Sequence, residues 1–180
     1  MSPGMVIWIV VLVAVALVAA AVFSVVSARK ATERRRAVVK ELEAEVPPVL
    51  EQMLSLFSYS HYVTESERAE AISRNRELKD KLQSVISSKE LGQSPICKDA
   101  TRLHKALAES ERIKEENNRH FVERELRANS DFFEHVMKYP LNDQQRESIV
   151  SLEDNVLVIA SAGSGKTMTS VGKVRYLIDK

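Results

Sequence analysis

An uncharged apolar run near the N-terminus is the feature that most constrains how this chain folds. Every residue from Met5 to Phe23 is apolar, and only two serines interrupt the run before Ala28. At about 1.5 Å per residue, about 20 such residues cross the roughly 30 Å hydrocarbon core of a bilayer as a helix. The run therefore predicts a transmembrane anchor over residues 1–28, in which residues 5–28 contact the lipid bilayer.

Two other interpretations of this run are weaker. A cleavable signal peptide begins with a basic segment and has a shorter apolar stretch, whereas residues 1–4 contain no basic side chain. A buried helix of a soluble protein is disfavoured by the length of the uninterrupted apolar stretch. A single-pass membrane anchor remains the favoured interpretation.

A cluster of basic residues follows the anchor and predicts its orientation. The basic residues are Arg29, Lys30, Arg34, Arg35, Arg36 and Lys40. Glu33 is the only acidic residue before Glu41. Because basic residues flank membrane helices on their cytoplasmic side, we expect the C-terminal portion in the cytoplasm and a short N-terminus outside.

The remaining composition excludes several classes of protein. The 180 residues contain 26 Lys and Arg against 25 Asp and Glu, a net charge of +1 that does not favour a strongly basic nucleic-acid-coating protein. A single cysteine, Cys97, excludes an internal disulfide framework and a multi-thiolate zinc site, and we expect it to be buried or half-buried. Four histidines lack metal-like spacing and are expected near the surface: His61, His104, His120 and His135.

Residues 29–139 have the composition of a helical spacer. Pro47-Pro48 is predicted to end a charged helix that continues from the anchor, since proline lacks the backbone N–H. Residues 64–67 have the form of a capping box, which predicts a helix start. A turn is expected from Gly92 to Pro95, and the apolar spacing on either side of it predicts two or three helices packed as a hairpin.

The pattern changes in the last forty residues. Residues 156–160 form a short β-branched apolar run, which predicts a strand buried on both faces. A glycine-rich loop follows, and then a helix is expected to about Ile178. This order of strand, loop and helix is the context of a phosphate-binding loop, the Walker A or P-loop motif.

The loop residues suit the binding of a phosphate chain. Gly163 and Gly165 allow the backbone to curl so that successive N–H groups face a phosphate. Lys166 is placed to reach the β- and γ-phosphates and is the expected catalytic residue, while the Thr167 hydroxyl suits a Mg²⁺ ligand. Ala160 stands where this motif usually has its first glycine. The predicted phosphate-binding residues are Ala160, Ser161, Ala162, Gly163, Ser164, Gly165, Lys166 and Thr167.

A second motif precedes the strand. Residues 141–146 open a short helix, with Asn142 as a plausible N-cap, about fifteen residues before the loop. In that position the segment resembles the Q motif of the UvrD/Rep-like superfamily 1 DNA helicases, and the loop resembles motif I of the same group. The resemblance implies that Gln145 hydrogen-bonds the adenine edge of ATP, since an amide offers both a donor and an acceptor.

The resemblance covers roughly residues 115–180 and points to a subgroup. Three segments resemble the lead-in of helicase IV-like members: residues 117–121, 131–133 and 139–141. One departure is Met168, because many members have an arginine directly after the threonine of motif I. Nucleotide contacts made through that arginine are therefore not expected here. Members of the family also place a positive residue later in the same helix, and Lys173 is its candidate counterpart.

The resemblance implies a fold and an activity for a longer protein. Residues 140–180 are expected to begin an α/β RecA-like P-loop NTPase domain that uses ATP and Mg²⁺. In the family, the acidic pair that holds the metal, the γ-phosphate arginine and the surfaces that grip single-stranded DNA lie further along. We therefore expect this chain to be an N-terminal portion that does not hydrolyse ATP by itself, because a lone parallel strand cannot complete its ladder.

Two other functions remain open at the level of the sequence. The chain is alternatively part of a membrane-associated P-loop NTPase that acts on protein or lipid partners. A non-enzymatic alternative is a membrane-anchored helical adaptor in which residues 29–139 bind a partner. The leading interpretation is a membrane-tethered, ATP-dependent DNA helicase or translocase of the UvrD/Rep type.

Overall fold

A computed structural model describes residues 3–161 and 163–179 of the chain. The helices in these residues are α1 (Pro3–Leu56), α2 (Glu65–Arg74), α3 (Arg76–Val85), α4 (Lys89–Gly92), α5 (Cys97–Ala108), α6 (Ser110–Ala128), α7 (Ser130–His135), α8 (Asp143–Val150) and α9 (Lys166–Asp179). The architecture of the described residues is therefore helical.

Helix α1 carries the apolar N-terminal run and continues far beyond it. The side chains of the run that the structure describes are exposed, with Trp8 70 % accessible and Phe23 74 % accessible. Within the described residues, α1 alone is long and apolar enough to cross a membrane. This finding concerns the length and composition of α1, so its insertion into a membrane and its orientation there stay predictions.

The prediction that Pro47-Pro48 ends this helix is wrong. Both prolines lie inside α1 with exposed side chains, and the helix continues to Leu56. Each proline removes a backbone donor and crowds the preceding turn, which costs about 3 kcal/mol in a helix interior. The same stretch buries Val46, Leu50 and Met53 against the neighbouring helices. Packing of this face offsets the lost hydrogen bonds, so α1 persists.

The first hydrophobic core lies where the C-terminal half of α1 meets α3, α4 and α5. Its fully buried members include Leu42, Leu82, Leu91 and Leu103. The predicted hairpin is thus an incomplete description, because the helices on either side of residues 92–95 also pack on α1. Cys97 is a half-buried free thiol at the start of α5, as predicted.

The second core joins α7, α8 and α9, and Val122 and Leu126 of α6 pack against it. The buried side chains of this second core are Phe133, Val136, Leu141, Ile149, Val150 and Tyr176. Met168 packs against this cluster, which explains an apolar residue in the first turn of α9. This core holds α8 and α9, the two helices that flank the predicted phosphate loop, against each other.

The buried strand predicted over residues 156–160 does not form. Within the described residues there is no strand, and Leu157 and Ile159 are 84 % and 88 % accessible. A strand of this kind needs neighbouring strands for its hydrogen bonds and apolar layers for its two faces. The described residues supply neither, so the segment is irregular and the start of a RecA-like sheet is not shown.

The histidines lie at the surface or at its boundary, as predicted. His120 and His135 are exposed, and His61 and His104 are half-buried. No group of three or more His, Cys, Asp or Glu side chains in the described part of the chain is arranged to hold a metal ion.

Candidate nucleotide-binding site

The site begins at the N-terminus of α8, where Asn142 and Gln145 form a reciprocal capping box. The Gln145 N–H donates to Asn142 Oδ1 at 2.9 Å, and the Asn142 N–H donates to Gln145 Oε1 at 2.9 Å. The prediction that Asn142 caps this helix is confirmed. The box satisfies two of the N–H groups at the helix start and orients the Gln145 amide.

The Gln145 side chain also contacts the predicted phosphate loop. Its Nε2 donates a hydrogen bond to the Ser164 carbonyl at 3.1 Å. Nε2 lies so close to Gly165 that a β-carbon there would be 2.6 Å away. The structure therefore brings together the two sequence motifs, which were predicted separately.

Two glycines give the loop its shape. Gly163 has a φ of +79° and Gly165 has a φ of +84°, the left-handed region that side chains disfavour. Space around Gly163 is open, whereas Gly165 is confined by Gln145. Ala162, between the predicted loop positions 161 and 163, lies outside the described residues.

Lys166 begins α9 and bridges back across the loop. Its Nζ donates to the Ser161 carbonyl at 3.0 Å and also to the Ala160 carbonyl. Ser164 Oγ donates to the same Ser161 carbonyl at 2.8 Å. Lys166 and Thr167 are both exposed at the first turn of α9, where the backbone N–H groups have no intrahelical acceptors. The ammonium and the helix N-terminus therefore concentrate positive charge at the loop.

A cavity of about 290 Å³ lies between α8 and the segment before the loop. Its polar lining includes Gln145, Ser148 and Lys166, and its apolar lining includes residues 157–160. The cavity thus joins the exposed apolar segment, the Q-motif-like helix and the loop lysine in one concave surface.

Helix α9 is held in place by polar contacts to the C-terminal end of α8 and to α6. Lys173 Nζ donates to the Ser148 carbonyl at 3.1 Å and to the Ser151 carbonyl, so it sits at the C-terminus of α8. Burial lowers the pKa of Lys173. The Tyr176 hydroxyl donates to Glu125 Oε2 of α6 at 2.7 Å, and burial, followed by the Glu125 carboxylate, raises the pKa of Tyr176. Lys173, the predicted counterpart of a positive residue in the helicase family, is therefore engaged in fixing α9 against the end of α8.

An ionic cluster that sequence reasoning missed anchors the segment between α8 and the loop. Glu153 Oε1 accepts a hydrogen bond from the Glu65 N–H at 2.7 Å, and Lys114 Nζ donates to Glu65 Oε2 at 2.8 Å and to Glu153 Oε2 at 3.2 Å. Asp154 Oδ2 accepts from the Ser66 N–H at 2.8 Å. Two carboxylates from this segment thus occupy the N-terminus of α2, where the helix dipole favours them.

The cluster changes the acidity of its members. Hydrogen bonds from Arg68 and then Lys114 lower the pKa of Glu65 to about 2. Burial lowers the pKa of Lys114, but hydrogen bonds to Glu65 and Glu153 outweigh burial, and the net direction is upward. In this region the sequence predicted the capping box of Thr64 and Glu67, which the structure confirms at the start of α2. Nothing in the local pattern revealed a partner 88 residues away.

Two asparagines from the lead-in segment support the connection between α1 and α2. Asn117 Oδ1 accepts from the Tyr59 N–H at 2.7 Å, and its Nδ2 donates to the His61 carbonyl at 2.9 Å. Asn118 pairs with both the N–H and the carbonyl of Val63, each at 2.8 Å. Both side chains are buried, so these residues shape the scaffold and lie away from the cavity.

Residues 141–180 match the model of a protein family described as the UvrD/REP helicase N-terminal domain. The chain is 36 % identical over 83 residues to "DNA helicase IV" of Escherichia coli (strain K12), which covers 46 % of the chain and 12 % of that relative. It is 48 % identical over 40 residues to the "Probable DNA helicase II homolog" of Mycoplasma capricolum, which covers 22 % of the chain and 6 % of that relative. No solved structure matches.

These comparisons confirm the resemblance to UvrD/Rep-like helicases. The matched family segment begins at Leu141 and contains the capped α8, the glycine loop and α9. The chain spans an eighth or less of the length of the two relatives. The match therefore describes the region of the candidate site and leaves the activity of a whole protein to be proposed.

Proposed function

We propose that this chain is the membrane-anchored N-terminal portion of an ATP-dependent DNA helicase or translocase of the UvrD/Rep type. The contact of Gln145 with Ser164 and Gly165 is the observation that carries the proposal. It joins a Q-motif-like helix to a glycine loop, both of which lie within the segment that matches the helicase family. The helicase names of both relatives support the DNA substrate.

Gln145 is proposed to recognise adenine while it keeps its present contacts. A side-chain amide carries two N–H donors and a carbonyl oxygen with two acceptor sites. One donor is used on Ser164 and one acceptor site on the Asn142 N–H. One donor and one acceptor site remain, which is the pair that the adenine edge requires.

The loop residues 160–167 are proposed to bind the phosphates of ATP. Lys166 now donates to two carbonyls of the same loop, and phosphate oxygens are stronger acceptors for an ammonium group. The N–H groups at the start of α9 face the same region and favour an anion. The exposed Thr167 hydroxyl is the proposed Mg²⁺ ligand. Bound ATP supplies a γ-phosphoryl group whose transfer to water drives movement along DNA.

The test is ATP hydrolysis by the full-length protein with and without single-stranded DNA. We expect DNA to stimulate hydrolysis and Lys166→Ala to reduce the rate by about a hundredfold or more, since one charged donor to the phosphates is lost. Lys138→Ala is the matched control, because Lys138 is exposed and does not line the cavity. Hydrolysis that is fully retained in Lys166→Ala contradicts the proposal.

A second candidate function is a membrane-associated NTPase that acts on protein or lipid partners. It is favoured by α1, because a bilayer tether restricts travel along DNA. The same assay separates the two functions. Hydrolysis that depends on Lys166 but is not stimulated by single-stranded DNA supports the NTPase that acts on protein or lipid partners. A third candidate, a non-enzymatic helical adaptor, is supported if the full-length protein fails to bind ATP.

We also propose a single-pass membrane location with the C-terminal portion in the cytoplasm. Support comes from the exposed apolar face of α1 and the basic residues after Ala28. In a Cys97→Ser background, a membrane-impermeant maleimide applied to intact cells should label Ser2→Cys. Lys98→Cys, at an exposed position on α5, should be labelled after permeabilisation. The reverse pattern contradicts the orientation.

A further inference from the structure

A bare stretch of α1 separates the apolar run from the first hydrophobic core. Residues 29–37 are exposed apart from the half-buried Thr32, and Val39 is the first buried residue after this stretch. At 1.5 Å per residue, this stretch is about 13.5 Å long. The helix therefore leaves the apolar run as a single rod before other helices pack on it.

Five cations lie on this stretch, and we name them the cationic collar. They are Arg29, Lys30, Arg34, Arg35 and Arg36. Across the described residues, none of the five takes part in an ion pair, in contrast to Lys81, Arg68 and Lys114 further along the chain. Glu33 is the single carboxylate within the stretch. The stretch therefore carries a net charge of +4, five cations against one carboxylate.

The collar residues surround the helix. Successive residues of an α-helix are about 100° apart, so Arg29 and Arg36 share one side while Lys30 and Arg34 share the next. Arg35 lies on the remaining side, about 100° from each of its neighbours Arg34 and Arg36. A rigid nucleic acid duplex or an acidic protein contacts one side of a rod. A lipid leaflet that the helix crosses contacts every side.

We infer that the cationic collar binds the phosphate groups of anionic lipids in the leaflet from which α1 emerges. This inference rests on the proposed membrane anchor, because it places Ala28 at the edge of the hydrocarbon core. Arg29 and Lys30 then lie at the head groups, and Arg34 to Arg36 lie about 9–12 Å from Ala28 along the axis. Long basic side chains extend back toward the interface, and guanidinium groups bind phosphate oxygens through two N–H donors.

Charges further along the chain define the limit of the collar. Arg36 and Lys40 line a groove beside α4, but Glu43 and Glu90 line the same groove. These carboxylates repel a lipid phosphate group from that groove. The lipid contact is therefore assigned to the bare stretch, where Glu33 is the single acidic residue.

The test uses the full chain reconstituted in phosphatidylcholine vesicles that contain a trace of spin-labelled lipid. Electron paramagnetic resonance measures the fraction of lipid whose motion the protein restricts. We expect spin-labelled phosphatidylglycerol to associate about fivefold more strongly than spin-labelled phosphatidylcholine, the contribution of roughly one cation near the surface. The triple variant R34Q/R35Q/R36Q should lose at least half of this preference. Salt should weaken it, because the interaction is electrostatic.

A matched triple variant controls for the loss of charge. Lys98, Arg102 and Lys105 are exposed on α5, and changing all three to Gln removes the same charge from the helical region outside the anchor. This control should retain the lipid preference. Circular dichroism should show unchanged helicity in both triple variants, since glutamine is a good helix former.

Each contrary result identifies the proposal that fails. Equal association of the two spin-labelled lipids overturns the collar but leaves the anchor in place. No restricted lipid of either kind overturns both the anchor and the collar. If R34Q/R35Q/R36Q keeps the lipid preference but loses binding of a labelled DNA duplex, the collar is a nucleic-acid contact and the lipid assignment is overturned.

Discussion

The side-chain amide of Gln145 fills the space that a β-carbon on Gly165 would occupy, with Nε2 2.6 Å from that position. The same nitrogen donates to the Ser164 carbonyl. One side chain therefore caps α8 and confines the turn that leads into α9. The geometry of the loop depends on a glycine at 165 for two separate reasons, its φ and its neighbour.

Gly165→Ala should therefore weaken ATP binding more than Gly163→Ala does. Both changes place a side chain in left-handed backbone, which costs about 1–2 kcal/mol, but only Gly165→Ala also displaces Gln145. A titration of the full-length protein with a fluorescent ATP analogue measures the two affinities. Equal losses would show that the Gln145 contact is unimportant. Gly92→Ala, at an open position with ordinary φ, serves as the neutral control.

Asn142→Ala should destabilise α8 by about 1 kcal/mol, because the side-chain acceptor for the Gln145 N–H is lost. Asn142→Asp keeps an acceptor oxygen at this position and should stay close to the wild type. Urea denaturation of the chain in detergent micelles compares the three proteins. The same stability for the Ala and Asp variants would contradict the capping role.

Asn118→Ala should cost about 2–4 kcal/mol of stability. The buried amide pairs with both the N–H and the carbonyl of Val63, and each group left without a partner costs about 1–3 kcal/mol. Arg119→Ala changes the exposed neighbour and should alter stability by less than about 0.5 kcal/mol. Thermal denaturation followed by circular dichroism makes the comparison. A small effect at Asn118 would show that water replaces its contacts.

Acidification should destabilise the ionic cluster between about pH 4.5 and pH 2. The pKa of Glu65 falls to about 2 in the folded chain from an ordinary value of 4.5, so folding favours the charged carboxylate. The resulting stabilisation is complete above the ordinary pKa and disappears as pH falls through the folded value. Measuring Tm across this window checks the prediction.

Lys114→Met should flatten this part of the pH profile, because Lys114 donates to both Glu65 and Glu153. Lys98→Met removes an exposed lysine from α5 and should leave the profile unchanged. Identical profiles for the wild type and Lys114→Met would show that Lys114 does not contribute, and that Arg68 alone lowers the pKa of Glu65 or other carboxylates cause the acid sensitivity.

Pro47→Ala should stabilise the chain by up to about 3 kcal/mol, since it restores a backbone donor in the interior of α1 without disturbing a buried side chain. Gln52→Ala, at an exposed position one turn further along, should have an effect near zero. Chemical denaturation in micelles measures both. A loss of stability in Pro47→Ala would show that the proline geometry itself supports packing on the first core.

Local signals predicted the parts of the candidate site that depend on neighbouring residues. The Asn142 cap needs Gln145 three positions later, and a helix after Gly165 needs the residues that follow it. Such interactions act within one helical turn, so the sequence alone shows them. The prediction of a strand at 156–160 was wrong because a strand depends on partners that are distant along the chain.

The sequence by itself determined the apolar run, the basic cluster after it, the capping box at residues 64–67, the Asn142 cap and the glycine loop with its lysine. Each is a property of residues within a few positions of one another. Tertiary structure decided that α1 continues through Pro47-Pro48, that Lys114 joins Glu65 to Glu153, and that Gln145 meets Gly165. These outcomes depend on which surfaces pack together. The free energy of that packing is a sum over distant contacts, which no local pattern contains.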